Sequence, residues 1–353
     1  MPEQFRIGIT ADFKTKAAGL IDAVLRERLD PLPMIAWEFM PGPTDVATAA
    51  QIGQYDGILS LSLQYPANAL ADAGALSVLA RWGVGYDMID VPACTEGNVL
   101  LAITPDGIRR PVAEGIVTLL LAITKQVRMK DLLVRRGEWD RKTDYQGVAL
   151  GGRTLGSVGI GNIGSDLFRL LKPFGLARFL AFDPYAKPEH AAALGVELVD
   201  LPTLLAESDF VCVNCPLTAE THHLIGEAEF AQMKPTAFFV NTARGPIVDQ
   251  AALTRVLQAG QIAGAALDVF EEEPMPLPNP LTELDNVILA PHAVAWTDES
   301  AAGNGNGAVD HILTVFRGEV PVPTVNRAVI ERPGFRAKLA TNAVRWRAWE
   351  GMR

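Results

Sequence analysis

The sequence predicts an α/β protein with two doubly wound parallel sheets, and three observations support this fold class. Short apolar strand patterns alternate with helical patterns along most of the chain, which is typical of parallel sheets built from right-handed crossover units. The 353 residues correspond to about two domains at the usual ~100 to 200 residues per domain. A long helical pattern divides the strand patterns into two sets. We therefore expect one sheet on each side of that helix.

The first set of strand patterns is short and apolar, as expected for buried parallel strands. Its members are FRIGIT, MIAWEF, YDGILSLS, LSVLARW and NVLLAIT, with a helical pattern around GLIDAVLRERL. The dividing helical pattern follows, starts at Pro111 and runs through PVAEGIVTLLLAITKQVRMKDLLVRRGEW. Proline suits the first position of a helix, so we expect a single connecting helix that begins there.

The second set of strand patterns predicts the second sheet. Its members are RTLGSVGIG, ARFLAFD, VELV, DFVCVN, TAFFVNT, IAGAALDVF and NVILAPH. Helical patterns fall between them, in SDLFRLLKPFG, LPTLLAES, GEAEFAQM and DQAALTRVLQAG. These segments predict a domain of residues 116–299, and the remaining residues, 1–115 and 300–353, predict a discontinuous domain.

A further helical pattern, DESAAGNGNGAVDHILTVFRG, is expected to lead the chain back to the first domain. Three of its residues, Gly303, Gly305 and Gly307, would each cost about 1 kcal/mol relative to alanine inside a helix. We therefore expect either close packing at these glycines or a break in the helix. Beyond Gly318 the chain is first proline-rich and then basic, and we interpret it as a helical tail packed on a domain rather than a binding patch.

The composition indicates an ordinary globular protein. Hydrophobic residues make up 49% of the chain and charged residues 20%, and the formal net charge is −10. This acidic balance, without a polybasic arm, argues against nucleic acid as a partner. No apolar run approaches the ~18 residues of a membrane span, and the N-terminus lacks a secretory signal pattern. We therefore expect a cytoplasmic protein with no membrane partner.

The three cysteines, Cys94, Cys212 and Cys215, form an odd and sparse set that is typical of a reducing compartment. Cys212 and Cys215 stand in DFVCVNCPLT, which predicts a buried strand. Side chains at this spacing on a strand face opposite sides of the sheet. We interpret both as core residues rather than as a redox or zinc pair, and we expect no metal site.

A glycine motif predicts a dinucleotide site in the second domain. Gly159, Gly161 and Gly164 form G-x-G-x-x-G directly after a strand pattern and before a helical one. Such glycines let the backbone approach a pyrophosphate, whose charge then lies at the amides of a helix N-terminus. The next strand ends at Asp183, near the expected distance for a carboxylate that binds the adenosine ribose. Because this carboxylate would repel a 2′-phosphate, the motif favours NAD over NADP.

The chain has few histidines for proton transfer, namely His190, His222, His223, His292 and His311. His292 differs from the others because it follows the strand pattern NVILA, and ligands of open parallel sheets gather at the carboxyl ends of strands. Glu273, in ALDVFEEEP, and Arg244, in NTARG, follow two other strands of the same set. We therefore expect these three side chains at one sheet edge, with Glu271 and Glu272 solvated.

The order of eight segments resembles successive blocks of the D-isomer-specific 2-hydroxyacid dehydrogenase family. They are RWGVGYDMIDV, GSVGIGNIG, AFDP, VNCPLTAET, VNTARGPIVD, ALDVFEEEP, LDNVILAPH and FRGEVPVPTVN, over roughly residues 50 to 326. The resemblance implies two Rossmann-like domains with the active site in an interdomain cleft. Residues 1–115 and 300–353 would form the substrate domain, and residues 116–299 the NAD-binding domain.

The same resemblance implies that Arg244, Glu273 and His292 are catalytic, and each role is physically reasonable. The planar fork of an arginine suits a carboxylate and an adjacent carbonyl oxygen. An imidazole, with an ordinary pKa of about 6.5, can donate a proton in one direction and accept it in the other. A glutamate bonded to the imidazole would orient it and favour its protonated form.

The resemblance also implies contacts with cofactor and substrate. The cofactor residues would be Gly159, Gly161, Asn162, Ile163, Gly164, Asp183, Pro216, Thr242 and Asp268. The substrate residues would be Val84 and Gly85 through their amides, Arg244 and His292. Trp296 follows His292 closely enough to form a wall of the pocket, although a core position is an equal alternative.

Differences between this sequence and related families narrow the range of expected substrates and reactions. Phosphoglycerate dehydrogenases usually place an arginine after the strand that corresponds to DGILSLSLQ, whereas this chain has Ser60, Leu61, Ser62, Leu63 and Gln64 there. We expect no cation at that strand end. Formate dehydrogenases of the superfamily pair the histidine with glutamine, so Glu273 argues against that reaction. Whether Arg81, Arg109 and Arg110 add a second anionic contact is left open by the sequence.

Two functions follow from these observations. The first is an NAD-dependent dehydrogenase that interconverts a small, unphosphorylated D-2-hydroxy acid and its 2-keto acid, with His292 as acid and base. The alternative is an NADH-sensing regulator similar to the corepressors of the superfamily, without significant turnover. No disordered tail or docking segment supports the regulator, and all three catalytic positions are filled. The resemblance further implies a homodimer built on the cofactor domain.

Overall fold

The computed structural model describes residues 3–42 and 45–352, and the chain divides into two compact units. The first unit joins the residues up to Ile108 with those from Thr297 onward, and the second comprises Arg109–Trp296. The expected domain boundaries, at 115/116 and 299/300, stay predictions.

The first unit contains a parallel sheet of five strands. They are β1 Phe5–Ile9, β2 Ile35–Phe39, β3 Gly57–Ser60, β4 Val78–Arg81 and β5 Leu100–Ala102, in the order β2-β1-β3-β4-β5. The second unit contains a parallel sheet of seven strands. They are β6 Thr154–Val158, β7 Arg178–Phe182, β8 Glu197–Leu198, β9 Phe210–Val213, β10 Phe238–Asn241, β11 Gly264–Leu267 and β12 Val287–Leu289, in the order β12-β11-β10-β9-β6-β7-β8. The predicted fold class is confirmed.

The strand order of the second sheet creates a topological switch point between β6 and β9. From β6 the chain proceeds outward to β7 and β8, and from β9 it proceeds to the opposite edge. The loops after β6 and β9 therefore run in opposite directions and leave a crevice at the carboxyl ends of the strands.

Helices and short turns connect the strands. The α-helices are α1 Phe13–Lys16, α2 Asp22–Arg28, α3 Ala49–Ile52, α4 Ala67–Leu70, α5 Val91–Glu96, α6 Pro105–Thr124, α7 Val127–Arg136, α8 Asn162–Leu171, α9 Pro188–Leu194, α10 Leu201–Glu207, α11 Glu227–Phe230, α12 Gln250–Gln258, α13 Asp298–Phe316 and α14 Pro333–Glu350. Short 3-10 turns cover Trp139–Thr143, Lys172–Phe174, Gly245–Ile247, Pro280–Glu283 and Arg327–Glu331.

The predicted bounds of the connecting helix are wrong at both ends. Helix α6 begins at Pro105, so Pro111 lies inside it and removes only the amide that would bond to the carbonyl of Gly107. The helical pattern is then interrupted at Gln126, which adopts a left-handed conformation with φ of 56° before α7 begins.

Close packing accounts for the glycines of α13, which is one continuous helix. A Cβ on Gly303 would lie 2.7 Å from the Cα of Gly107, so these two helices pack backbone to backbone. Gly307 similarly meets the Thr104 side chain, at 3.1 Å from its Cγ2. Of the two expectations, the break is wrong and the close packing is confirmed.

The basic tail forms α14, which packs on the first unit as expected. Phe335, Trp346 and Trp349 are buried in its hydrophobic core. Lys338 lies on the same helix and donates a hydrogen bond from Nζ to the carbonyl of Leu76 at 2.7 Å. Burial lowers the pKa of Lys338 to about 8.

The cysteines behave as core residues. Cys212 is buried in β9, Cys215 is half-buried just beyond it, and neither forms a disulfide. Burial raises the pKa of Cys212 to about 12 and that of Cys215 to about 11, so both stay protonated at neutral pH. Over residues 3–42 and 45–352, no cluster of His, Cys, Asp and Glu has the arrangement of a metal site. Within the same ranges, no helix has the combined length and apolarity that crossing a bilayer requires.

Candidate active site

The site residues predicted in the second unit all lie on segments that follow its parallel strands. Those segments therefore emerge at one edge of the sheet. Gly159–Gly164 follow β6, Asp183 follows β7, Pro216 follows β9, Thr242 and Arg244 follow β10, Asp268 and Glu273 follow β11, and His292 follows β12.

The turn after β6 has the backbone that a pyrophosphate requires. Gly159 has a φ of 101°, and a Cβ there would lie 2.8 Å from the carbonyl of Asn214, so only glycine fits. A Cβ on Gly164 would lie 2.6 Å from the carbonyl oxygen of Gly159. By contrast, no atom of the described residues lies within 4 Å of a Cβ built on Gly161. The turn therefore packs closely against the protein at Gly159 and Gly164. It is open at Gly161, where α8 begins.

Asp183 is held against this turn. Its Oδ2 accepts a hydrogen bond from the amide of Ile160 at 3.1 Å, and its Oδ1 accepts one from the amide of Tyr185 at 3.0 Å. Each carboxylate oxygen can accept a second hydrogen bond. The position and the remaining acceptor capacity therefore fit a ribose diol beside the glycine turn.

His292 and Glu273 form a hydrogen-bonded pair across two loops. The His292 Nδ1 lies 2.7 Å from the Glu273 Oε2, and the amide of Phe270 donates to the Glu273 Oε1 at 2.9 Å. Partial burial opposes ionisation of this carboxyl, but the hydrogen bond and charge of His292, the Phe270 amide and the charge of Arg244 lower the pKa of Glu273. Glu273 is therefore a carboxylate at neutral pH, and it can stabilise a protonated imidazole.

Asp268 supports the loop that carries His292. It is 3% exposed, and its carboxylate accepts hydrogen bonds from the amides of Ala293 at 2.9 Å and Val294 at 3.2 Å. Burial is the main reason that the pKa of Asp268 is raised, although both amides act in the opposite direction. This structural task, which the sequence did not indicate, fixes the residues next to His292.

Arg244 lies on a segment that packs tightly against the segment of Glu273. Its Nη1 donates to the carbonyl of Ala243 at 2.7 Å, and the side chain of Asn241 binds the carbonyl of Arg244 at 3.0 Å. A Cβ on Gly245 would lie 1.9 Å from the carbonyl of Phe270, so only glycine permits this approach. The two segments are consequently placed with little freedom relative to each other.

The remaining predicted cofactor residues lie around the same crevice. The Oγ1 of Thr242 is buried and has no hydrogen-bond partner within the described ranges, which leaves a polar group for a ligand. Asn162 is exposed at the start of α8, and Ile163 is half-buried against the core of the second unit. Pro216 is exposed, and its carbonyl accepts a hydrogen bond from Thr221 Oγ1 at 2.7 Å.

The predicted substrate residues of the first unit lie on the segment after β4. The neighbouring Gly83 has a φ of 104°, and its amide donates to Thr104 Oγ1 at 2.7 Å. The amides of Val84 and Gly85 make no hydrogen bond to any described residue, so both can donate to a ligand. In the second unit, Trp296 is 45% exposed and is not a core residue.

The arginines left open by the sequence differ in their surroundings. Arg109 pairs with Asp166 at 2.9 Å, and Arg110 pairs with Glu114 at 2.6 Å, both within the second unit. Arg81 is the last residue of β4 and is half-buried.

A lysine that the sequence did not indicate lies at the end of β3. Lys16 Nζ donates to Ser62 Oγ at 2.8 Å, and Ser62 in turn donates from Oγ to Asp12 Oδ2 at 2.7 Å. Lys16 belongs to another element, 46 residues earlier, so inspection of Ser60–Gln64 alone could not find it. Lys16 thus brings a cation to this strand end, but it is bound to a serine that also bonds the carboxylate of Asp12, so the expectation that no cation awaits a phosphate there stays a prediction.

Glu271 is exposed, as expected, but its carboxylate also makes hydrogen bonds that the sequence did not indicate. Its Oε1 lies 2.8 Å from His223 Nε2 and accepts the amide of Gln250 at 3.0 Å. Glu272, by contrast, is exposed and makes no hydrogen bond to the residues that the structure describes. His223 lies 48 residues away in an irregular segment and Gln250 lies 21 residues away at the start of α12, so no periodicity links either residue to Glu271.

The sequence matches a family profile described as "D-isomer specific 2-hydroxyacid dehydrogenase, NAD binding domain" over residues 117–294. The chain belongs to this family. It is an NAD-dependent oxidoreductase that acts on 2-hydroxy acids, as the sequence predicted. The glycine turn, Asp183 and the buried Thr242 hydroxyl, all on the second unit, fit the NAD that the family binds.

Named relatives agree with this assignment. The chain is 39% identical over 305 residues to a glyoxylate reductase of Korarchaeum cryptofilum, which covers 85% of this chain and 92% of that protein. It is 42% identical over 260 residues to a D-3-phosphoglycerate dehydrogenase of Methanocaldococcus jannaschii, covering 73% of this chain but 49% of that protein.

Solved structures show the same architecture. A glyoxylate reductase from Paecilomyes thermophila aligns with a TM-score of 0.79 at 28% identity, covering 93% of this chain and 99% of that one. A D-lactate dehydrogenase from Aquifex aeolicus, complexed with NAD and lactic acid, aligns with a TM-score of 0.77 at 25% identity, covering 91% and 99%.

Proposed function

We propose that the protein reduces a small 2-keto acid to the D-2-hydroxy acid with NADH, and catalyses the reverse oxidation, using Arg244, Glu273 and His292. The observation that carries this proposal is the 2.7 Å pair between His292 and Glu273, with the charge of Arg244 close enough to lower the pKa of Glu273. A cation, a proton donor and an orienting carboxylate at one sheet edge are what reduction of a 2-keto acid requires.

His292 carries the proton in this mechanism. Glu273 accepts a hydrogen bond from Nδ1, which leaves Nε2 for the substrate. When bound, NADH supplies a hydride for the carbonyl carbon of the keto acid. His292 donates the proton from Nε2 to the carbonyl oxygen, which becomes the product hydroxyl. In the oxidation, the same nitrogen accepts that proton.

Arg244 holds the substrate. Its planar guanidinium binds the carboxylate and the adjacent carbonyl oxygen together, and this orients the carbonyl and stabilises the charge that develops on it. The amides of Val84 and Gly85 in the first unit, which have no acceptor among the described residues, are the predicted donors to the substrate carboxylate. Trp296, exposed on the segment after β12, forms a wall of the substrate pocket.

The cofactor is bound along the crevice of the second sheet. Gly159, Gly161 and Gly164 with the amides of Asn162 and Ile163 hold the pyrophosphate, and Asp183 binds the adenosine ribose. Pro216, Thr242 and Asp268 line the path towards the nicotinamide. The buried hydroxyl of Thr242 supports this arrangement because it needs a partner that the protein does not provide. An interdomain cleft stays a prediction.

A small substrate without a phosphate is the best candidate, and glyoxylate is the first to test. Several named relatives are glyoxylate reductases. Lys16 supplies a positive charge beside Ser62, but the buried carboxylate of Asp12 bonds the same serine and offsets that charge. A phosphate would therefore meet no net positive site at this strand end.

The test is a panel of 2-keto acids mixed with purified protein and NADH, followed by NADH absorbance. The panel includes glyoxylate, hydroxypyruvate, pyruvate and branched keto acids. A phosphorylated keto acid is added to test whether the additional negative charge of a phosphate is accepted. We expect rapid oxidation with a small unphosphorylated member. Binding of NADH without oxidation across the panel would favour the NADH-sensing regulator.

We also propose a homodimer built on the second unit. Its helix α7 and the following turn expose Val127, Val134 and Trp139 at 51%, 59% and 64%. Large apolar side chains that are exposed on neighbouring elements are candidates for an association surface. A cytoplasmic location stays a prediction of the sparse, unpaired cysteines.

A further inference from the structure

Glu271 connects three separate segments of the second unit. It stands two residues before Glu273, and its carboxylate binds His223 at 2.8 Å and the amide of Gln250 at 3.0 Å. The contact with Gln250 is reciprocal, because the amide of Glu271 donates to Gln250 Oε1 at 3.2 Å. Both the backbone and the side chain of Glu271 are therefore fixed to the first residue of α12.

His223 links the same carboxylate to the segment of Arg244. Its amide donates to the carbonyl of Pro246 at 2.8 Å, two residues beyond Arg244. Its backbone adopts a φ of 51°, and its ring stacks on His222 with centroids 4.1 Å apart. The backbone of His223 thus binds one segment while its ring binds the other.

These contacts surround the place where the two catalytic segments meet. Gly245 lies against the carbonyl of Phe270 on one side, and the Glu271–Gln250–His223 cluster joins the same two segments on the other. The segments follow the neighbouring strands β10 and β11, whose backbone ladder ends with the hydrogen bond from the Asp268 amide to the Asn241 carbonyl at 3.0 Å. Beyond that hydrogen bond, the cluster connects the two segments.

We propose that Glu271 is a positioning residue, which acts with His223 and Gln250 to fix the distance and orientation between Arg244 and the Glu273–His292 pair. This inference rests on the proposed function of those three residues. Catalytic groups must be held to within about 0.5 Å, and a displacement of about 1 Å can cost about 100-fold in rate. Loosening one segment against the other therefore reduces the rate without removing any group that touches the substrate.

Matched variants at adjacent glutamates test the proposal. Glu271→Ala and Glu271→Gln remove or neutralise the positioning carboxylate, and Glu272→Ala and Glu272→Gln make the same changes at the exposed neighbour. We expect Glu271→Ala to lower kcat by about 10 to 100-fold and to raise KM for the keto acid, because Arg244 and His292 are no longer aligned. Glu271→Gln should recover part of the rate, since its amide oxygen still accepts from Gln250. The Glu272 variants should match the wild type.

Two readouts separate positioning from a general loss of stability. The dissociation constant for NADH, from fluorescence titration, should stay within about twofold, because no cofactor residue has changed. In addition, the double variant His223→Ala with Glu271→Ala should be no slower than the slower single variant.

The outcomes distinguish this proposal from the proposed function. Equal kinetics in Glu271→Ala and Glu272→Ala would overturn the positioning role, provided that Glu273→Gln in the same assay is strongly impaired. If Glu273→Gln is itself as active as the wild type, the proposed catalytic set has failed instead. If Glu271→Ala does not fold, Glu271→Gln and His223→Asn decide the question by the same comparison, and a wild-type rate in both overturns the proposal.

Discussion

Arg244 is the only predicted catalytic residue with a permanent charge, and its surroundings prescribe a specific test. The guanidinium binds its neighbouring carbonyl at 2.7 Å and lies close enough to Glu273 to influence its ionisation. We expect Arg244→Ala to lower kcat/KM for the keto acid by about 100-fold or more while NADH binding is retained. Arg244→Lys keeps the charge but loses the planar fork, so it should recover only a small part of the activity.

Steady-state rates and NADH fluorescence titrations check this prediction. If turnover and NADH affinity fall together in Arg244→Ala, the arginine supports the cofactor or the fold and has been misplaced in the mechanism.

Asp183 is the residue predicted to make the protein prefer NADH over NADPH. It is bound by the amides of Ile160 and Tyr185 beside the glycine turn, and its negative charge would face a 2′-phosphate. We expect Asp183→Ala to weaken the affinity for NADH by about 10-fold or more, because a hydrogen bond to a charged group is lost. The affinity for NADPH should stay unchanged or rise slightly, because the carboxylate no longer repels the 2′-phosphate. Parallel titrations with both cofactors measure the effect. An equal loss for the two would contradict the ribose assignment.

Single residues also show where sequence reasoning ends. Arg244, Glu273 and His292 could be located because each follows a parallel strand, and such ends share one edge of the sheet. Glu271 with His223, and Lys16 with Ser62, could not be located in this way. Their partners lie 48 and 46 residues apart, and neither pair has a strand position or periodicity that indicates it.

Helix α14 offers a prediction about stability. Lys338 on this helix is held against the carbonyl of Leu76, and burial lowers its pKa to about 8 from an ordinary value of about 10.4. Between these values the unfolded chain holds a proton that the folded chain has released. The free energy of unfolding therefore rises with pH in this window, relative to a variant that lacks the amine.

The free energy of unfolding of the wild type is compared with that of Lys338→Met at each pH. The contributions of all other titrating groups then cancel in the difference. Denaturant unfolding at pH 7.5, 9 and 10 should show the wild type gaining stability over the variant as the pH rises. A difference that is independent of pH would mean that the amine is better solvated than the structure indicates.

At the level of elements, the strands were predictable and the helix bounds were not. All twelve strands form where the strand patterns indicated them, and most of them are buried parallel strands with continuous apolar sequences, although the edge strand β8 is exposed. The start of α6 was misjudged because proline is tolerated within the helix at Pro111 as well as at its first position. The continuity of α13 depends on the close approach of Gly303 to Gly107, a tertiary contact that no local pattern reveals.

At the scale of the whole molecule, association is the property to test. Val127, Val134 and Trp139 are exposed apolar residues on the second unit, and a homodimer would bury them. We expect a molar mass twice that of the chain by light scattering, and a shift towards monomer in Trp139→Ser. Trp296→Ser, at a similarly exposed tryptophan of the proposed site, is the matched control and should leave the mass unchanged. A wild-type monomer at micromolar concentration would contradict the proposal.

The central claim is that His292 transfers the proton during reduction of a 2-keto acid. The most direct measurement is kcat for His292→Asn against wild type, with NADH and the keto acid that reacts fastest in the panel. We predict a fall of about 100 to 10,000-fold, with the dissociation constant for NADH within about twofold of wild type. A kcat within about threefold of wild type would contradict the claim, because the proton would then come from another group.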